Sequence, residues 1–296
     1  MSKLRIFGLL AICFSSFFAL AQETGKPAKY IWTEHVTVAQ GQEMKYPALA
    51  AQFRRAAETL NSDAYWLAAS NLTGNMQSTI YVTFENNFDE IEKALEAFHK
   101  VGAEIERTNP NFMTEMNSIE QAPRSTIAKY VEELSYMPGK VPMSQAKWWQ
   151  VTTIMVKPGH RTDFADLVKE EIELLKKAGI EESFVAYDVV MGLPSSGSAY
   201  YFVTPMKSLS EMDVDNSEKQ KSVFTPMVIH KFESRMEQMV SSIESNLLMV
   251  RPDLSRAPKS FLAANPEFWT PKEPVPVLAK SKKAKKPLAE AIPPKQ

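Results

Sequence analysis

The chain writes one pattern twice, and that repetition limits its fold more than any other feature. Val38-Ala39-Gln40-Gly41 is followed by Tyr46 and Leu49. Val156-Lys157-Pro158-Gly159 is followed by Phe164 and Leu167, each matched position lying 118 residues further on. Ile80-Tyr81-Val82-Thr83 matches Tyr200-Tyr201-Phe202-Val203 at an offset of 120, and Leu134-Ser135-x-x-Pro138 recurs at that offset as Leu254-Ser255-x-x-Pro258. Landmarks kept in order at a nearly constant spacing mark diverged copies of one unit. The copies span residues 28–138 and 146–258, with 139–145 as a linker.

Each copy reads as strand, helix, strand, strand, helix, strand. Tyr30 to Val38 is rich in aromatic and β-branched residues, as strands are. Gly41 permits a turn, and Tyr46, Leu49, Ala50, Phe53, Ala57 and Leu60 then recur at helical spacing. Phe164, Leu167, Val168, Leu174, Leu175 and Ala178 repeat that stripe ahead of Gly179, a natural left-handed helix stop. Strand pairs are predicted over 64–72 and 78–84, and over 184–191 and 199–204, with turns punctuated by Gly and Pro. Helical stretches over 88–121, broken near Asn109-Pro110, and over 216–244 come next. Closing strands over 126–134 and 246–251 end the two units.

A sheet with both helices on one face leaves its other face bare, and that face has to be buried. The second copy supplies the cover. The predicted fold class is therefore α+β: two tandem ferredoxin-like βαββαβ units packed sheet to sheet as a pseudo-dimeric α/β barrel. The run Val156-Lys157-Pro158-Gly159-x-x-x-x-Phe164-x-x-Leu167 resembles the first strand, turn and helix of the dimeric α/β-barrel (ferredoxin-like) superfamily. That superfamily includes the antibiotic-biosynthesis monooxygenases and the NIPSNAP-like proteins. Val38, Gly41, Tyr46 and Leu49 repeat the motif more weakly. The resemblance implies a cavity between the sheets, used variously for cofactor-free oxygenation, haem chemistry or plain ligand binding. The motif holds only a strand end, a turn glycine and two core side chains, so it speaks for a fold and not for an activity.

Alternation along the first strand puts Trp32, Glu34 and Val36 on one face and Thr33, His35 and Thr37 on the other. The offset of 118 matches Trp32 with Gln150 and Glu34 with Thr152. This more polar face is expected at the sheet–sheet interface, where a carboxylate needs a partner or holds its proton more tightly. Glu34 and His35 are the catalytic candidates. Trp32, Glu34, Tyr81, Gln150, Thr152 and Tyr201 are the expected ligand-lining set. His99, His160 and His230 form no His-x-His or His-x-x-x-His pair, so no metal site and no cofactor is predicted. His230 with Phe224, Met227 and Phe232 reads as core packing, as do most of the methionines of the second copy.

Composition sets the remaining bounds. The 296 residues are 44% hydrophobic and 23% charged with a formal charge of −1, the balance of a folded globular chain with no reason to seek nucleic acid. Residues 1–21 read as a secretory signal: Lys3 and Arg5, an apolar run from Ile6 to Leu20, and Ala19-Leu20-Ala21 as a small-x-small cleavage pattern. Its removal takes away Cys13, the only cysteine, and leaves no transmembrane segment. The protein is expected to be secreted or periplasmic. Residues 259–296 read as an extended segment whose end, from 271, carries seven lysines, two glutamates and six prolines and cannot bury enough surface to fold. Lys280–Lys286 offers electrostatic contact with an anionic envelope. The expected function is binding of a small, mainly apolar organic ligand between the two sheets. The alternatives are a cofactor-independent monooxygenase-like enzyme using Glu34 or His35 as base, or an envelope-associated interaction module. Because pairing is internal, further oligomerisation is optional.

Overall fold

The computed structural model describes residues 26–193 and 197–270. The expected signal, residues 1–21, and the basic tail from 271 lie outside the described residues. The first half runs β1 (Tyr30–Val38), α1 (Tyr46–Thr59), β2 (Leu67–Asn71), β3 (Ser78–Glu85), α2 (Phe88–Thr108), α3 (Phe112–Ile119) and β4 (Glu120–Tyr130). The second runs β5 (Trp148–Val156), α4 (Arg161–Ala178), β6 (Val185–Met191), β7 (Ser198–Met206), α5 (Ser217–Lys221), α6 (Pro226–Met239) and β8 (Val240–Val250). Local chemistry sets several of these ends. The Asn87 side chain accepts from the Glu90 N–H at the start of α2, Thr225 does the same for α6, and Gly179 at φ +60° closes α4.

The eight strands close into one antiparallel barrel in the order β1-β3-β2-β8-β5-β7-β6-β4. Each half supplies four neighbouring strands, β4-β1-β3-β2 and β8-β5-β7-β6, an identical order in the two halves. The halves therefore join edge to edge, through β2–β8 and β4–β6, as well as burying their inner faces together. Closure leaves no long bare edge to aggregate. The interior is filled by side chains from both halves, among them Ile31, Leu67, Val82, Phe84, Trp149, Val185, Val203 and Leu248. One end is plugged by α7 (Lys259–Ala264) and α8 (Pro266–Trp269), whose Phe261 and Trp269 are each 1% exposed. Residues 259–270 are thus folded, not extended as expected, because two large aromatic side chains found a hole to fill.

The halves also exchange arms. Leu254, beyond β8, belongs to the helix-side core of the first half, and Leu134, beyond β4, to that of the second. Ser255 Oγ accepts from the Ala68 N–H at 2.8 Å and donates to Arg251 O at 2.6 Å. Ser135 Oγ accepts from the Ala186 N–H at 2.9 Å and donates to Val131 O at 2.9 Å. The repeated Leu-Ser pattern is this reciprocal clasp.

The closing strands begin earlier than predicted, at Glu120 and Val240 and not at 126 and 246. Their first halves are polar and exposed, so they show no alternation to read, and ladder bonds to β1 and β5 hold them. Each carries a bulge. Between His35↔Arg124 and Thr37↔Gln121 the β4 strand has one residue too many, and Ala122 there takes φ +45°.

Candidate functional site

The strand faces lie the other way round from the expectation. Ile31 belongs to the barrel interior, while Trp32, Glu34 and Val36 point outward to the helices. Alternation shows that two faces differ. It cannot say which is inside when helices bury the outer one as well. The cavity follows Trp32: it lies between the first half's sheet and its helices, not between the sheets. Its volume is about 290 Å³, at the lower end of the range for small organic ligands.

Four rings build one wall. Trp32 and Phe98 meet edge to face at 5.8 Å between centroids, as do Phe53 and Trp66 at 5.5 Å, while Trp66 and Phe98 are tilted at 5.7 Å. Strand β1 supplies Trp32 and Glu34, β3 supplies Tyr81 and Thr83, α1 supplies Tyr46 and Phe53, and α2 supplies Phe98. Met113, Met116 and Asn117 of α3 edge the opening, and Leu254 of the exchanged arm closes one side. The Trp66 indole donates to Leu254 O at 2.8 Å, fixing that arm over the site. The Trp32 indole is held by donation to Ser125 Oγ at 2.6 Å.

The polar groups of this apolar pocket converge. Glu34 stands directly across from Tyr81 in the ladder. The Tyr81 and Tyr46 hydroxyls are hydrogen-bonded at 2.8 Å. The Glu120 carboxylate lines the same cavity, near enough to Tyr46 for that hydroxyl to favour its charged form. Desolvation raises the pKa of Glu120 to about 7, with the charge of Glu34 adding to the rise and the Tyr46 hydroxyl opposing it. Glu34 is reached by solvent through the opening, yet crowding by the surrounding protein raises its pKa as well. Burial pushes both tyrosine hydroxyls up. The site therefore holds a carboxylate that exchanges its proton near neutrality beside a second carboxylate, a pairing suited to acid–base work.

The second half has the same frame without this chemistry. Register places Thr152 where Glu34 stands, Phe202 for Tyr81 and Val240 for Glu120, and the offset of 118 places Phe164 for Tyr46. Phe164, Phe184 and Phe202 stack there as core, with Phe164 and Phe202 at 6.3 Å and Phe184 and Phe202 at 5.8 Å.

Of the expected residues, Trp32, Glu34 and Tyr81 share the pocket. Gln150 and Thr152 sit on the outer face of the second half, bonded to Ser245 at 3.3 and 2.9 Å. Tyr201 points into the barrel, its hydroxyl 3.2 Å from Thr126. His35 also faces inward, where burial and the Arg124 charge lower its pKa and Glu244 opposes them. It cannot serve the pocket. Tyr46, Trp66 and Glu120 complete the site and were not among the expected residues. His230 and Met227 are exposed, not core as read, and Met212 is exposed too, whereas Met206 and Met239 are buried.

A haem does not fit these residues: no histidine lines the cavity, and its volume is small for a macrocycle. Among the described residues no group of three or more His, Cys, Asp or Glu side chains could hold a metal ion, and no helix is long and apolar enough to cross a membrane.

No family model and no curated protein matches this sequence. Among solved structures the chain is similar to an anthrone oxidase-like protein, at 12% identity over 77% of this chain and 93% of that one, with a TM-score of 0.47. It is also similar to a mutant chlorite dismutase from Candidatus Nitrospira defluvii, at 9% identity over 79% and 94% of the two chains, with a TM-score of 0.40. Likenesses this loose assign no activity.

Proposed function

We propose that the pocket of the first half binds a small, mainly aromatic molecule and exchanges a proton with it, Glu34 acting as acceptor beside Glu120 and the bonded Tyr46 and Tyr81 hydroxyls. One observation carries the reading. Four polar positions converge in an apolar cavity in one half, and the matching four of the other half are Thr152, Phe164, Phe202 and Val240. Had these groups served folding alone, the second half, which keeps the same frame, would need them too.

A base in an apolar pocket is what cofactor-independent oxygenation requires. The base takes a proton from an electron-rich O–H or C–H, and the resulting anion passes an electron to molecular oxygen. Glu34 fills that role, since His35 lies on the other side of the sheet. Oxygen uptake with electron-rich phenols should fall about 100-fold or more in Glu34→Gln, the scale of a lost general base. Uptake equal in Glu34→Gln and wild type would end this reading.

The identical strand order and the exchanged arms support a tandem pseudo-dimer, one ancestral unit copied and fused. A secreted or periplasmic location, with the basic tail touching an anionic envelope, is the accompanying proposal. Envelope association that persists unchanged at high salt would count against it.

A further inference from the structure

We infer that the occupant of this pocket is an organic cation, an alkyl- or arylammonium group seated against Trp32, Phe53, Trp66 and Phe98 with Glu34 and Glu120 as its counter-charges. The inference rests on the pocket being a ligand site and adds the charge of the ligand.

Among the described residues the lining contains two carboxylates and no lysine, arginine or histidine. Arg251, whose charge acts on Tyr81, is committed elsewhere, donating to Asp253 at 2.8 and 2.6 Å and to Ser70 Oγ at 3.4 Å. A carboxylate at an apolar cavity favours a positive partner, and among the described residues no cation bonds to Glu34 or Glu120. An anionic ligand would meet both of them unscreened. A hard metal ion would want six to eight oxygen ligands, or six in a strict octahedron, and two carboxylates fall far short. An aromatic wall suits an ammonium instead, because the negative face of a ring attracts a cation that carries its own hydrocarbon cover. Thr83 adds an independent mark. It lines the cavity, is 5% exposed, and its hydroxyl oxygen has no partner, so it stands ready to accept an ammonium N–H.

The test uses the full chain and two probes of one shape, benzyltrimethylammonium and its uncharged carbon analogue neopentylbenzene, titrated calorimetrically from pH 5.5 to 8.5. The charged probe should bind at least tenfold more tightly at pH 8. Its affinity should rise with pH as Glu120, facing Glu34 from β1, Tyr46 from α1 and Tyr81 from β3, loses its proton. The uncharged probe should show no such rise. Glu34→Gln with Glu120→Gln should erase the preference, so that the two probes bind alike. Equal affinities, or binding of the uncharged probe alone, would overturn the charge assignment and keep the pocket as a ligand site. Binding of neither probe would overturn both. The wild-type comparison decides without any variant having to fold.

Discussion

Glu85 is the carboxylate most at odds with its surroundings. It is 3% exposed, one of its oxygens lacks a partner, and burial pushes its pKa up to about 8, helped by the charge of Glu90. The folded state therefore holds this proton over a pH range where the unfolded chain has released it. Stability should fall as pH rises from the ordinary carboxylate value toward 8, by up to about 1.4 kcal/mol per pH unit from this group alone. Glu85→Gln should flatten that slope and be the more stable protein at pH 9, read as a higher midpoint in thermal unfolding. At this scale the sequence showed part of the site. Trp32 and Glu34 share a face by simple alternation, and Tyr81 lies across from Glu34. Glu120 was invisible because 88–121 reads as helix and the closing strand as starting at 126; even along β4 the extra residue at the bulge breaks the alternation from Thr126.

The clasp serines belong to the scale of elements. Ser255 and Ser135 each satisfy a buried amide of the opposite half, so truncating either leaves an N–H without a partner, at about 1–3 kcal/mol. Ser255→Ala should also weaken probe binding, because its arm carries Leu254 over the pocket, whereas Ser135→Ala should cost comparable stability and leave binding alone. Denaturant unfolding and the calorimetric titration together separate the two effects. The repeat that revealed this clasp misled elsewhere. Matching Tyr81 to Tyr201 at an offset of 120 is one residue out of register: Glu34 pairs with Tyr81 and its counterpart Thr152 with Phe202, an offset of 121. A one-residue slip turns every side chain to the other face, so two tyrosines that look equivalent stand on opposite sides of the barrel wall.

On the scale of the molecule, closure makes the halves interdependent. The interior core draws on both, and the seams β2–β8 and β4–β6 satisfy edges that either half alone would expose. Thermal unfolding should be a single cooperative transition for residues 26–270. Trp269→Ala, which empties the plugged end, should lower stability by about 3–5 kcal/mol without moving probe affinity. Two resolved transitions would mean that the seams are too weak to couple the halves. The α+β class was legible because apolar periodicity is written locally, whereas edge-to-edge closure depends on pairing between distant strands that no local pattern records. The proposed fusion has a further consequence. A protein assembled from two identical half-length chains would carry its chemistry in duplicate, and every change to one copy would strike the other. With both units on one chain, the aromatic filling around Phe164 is free to carry mechanical load alone. Titration should therefore saturate at one equivalent per chain along a plain hyperbola.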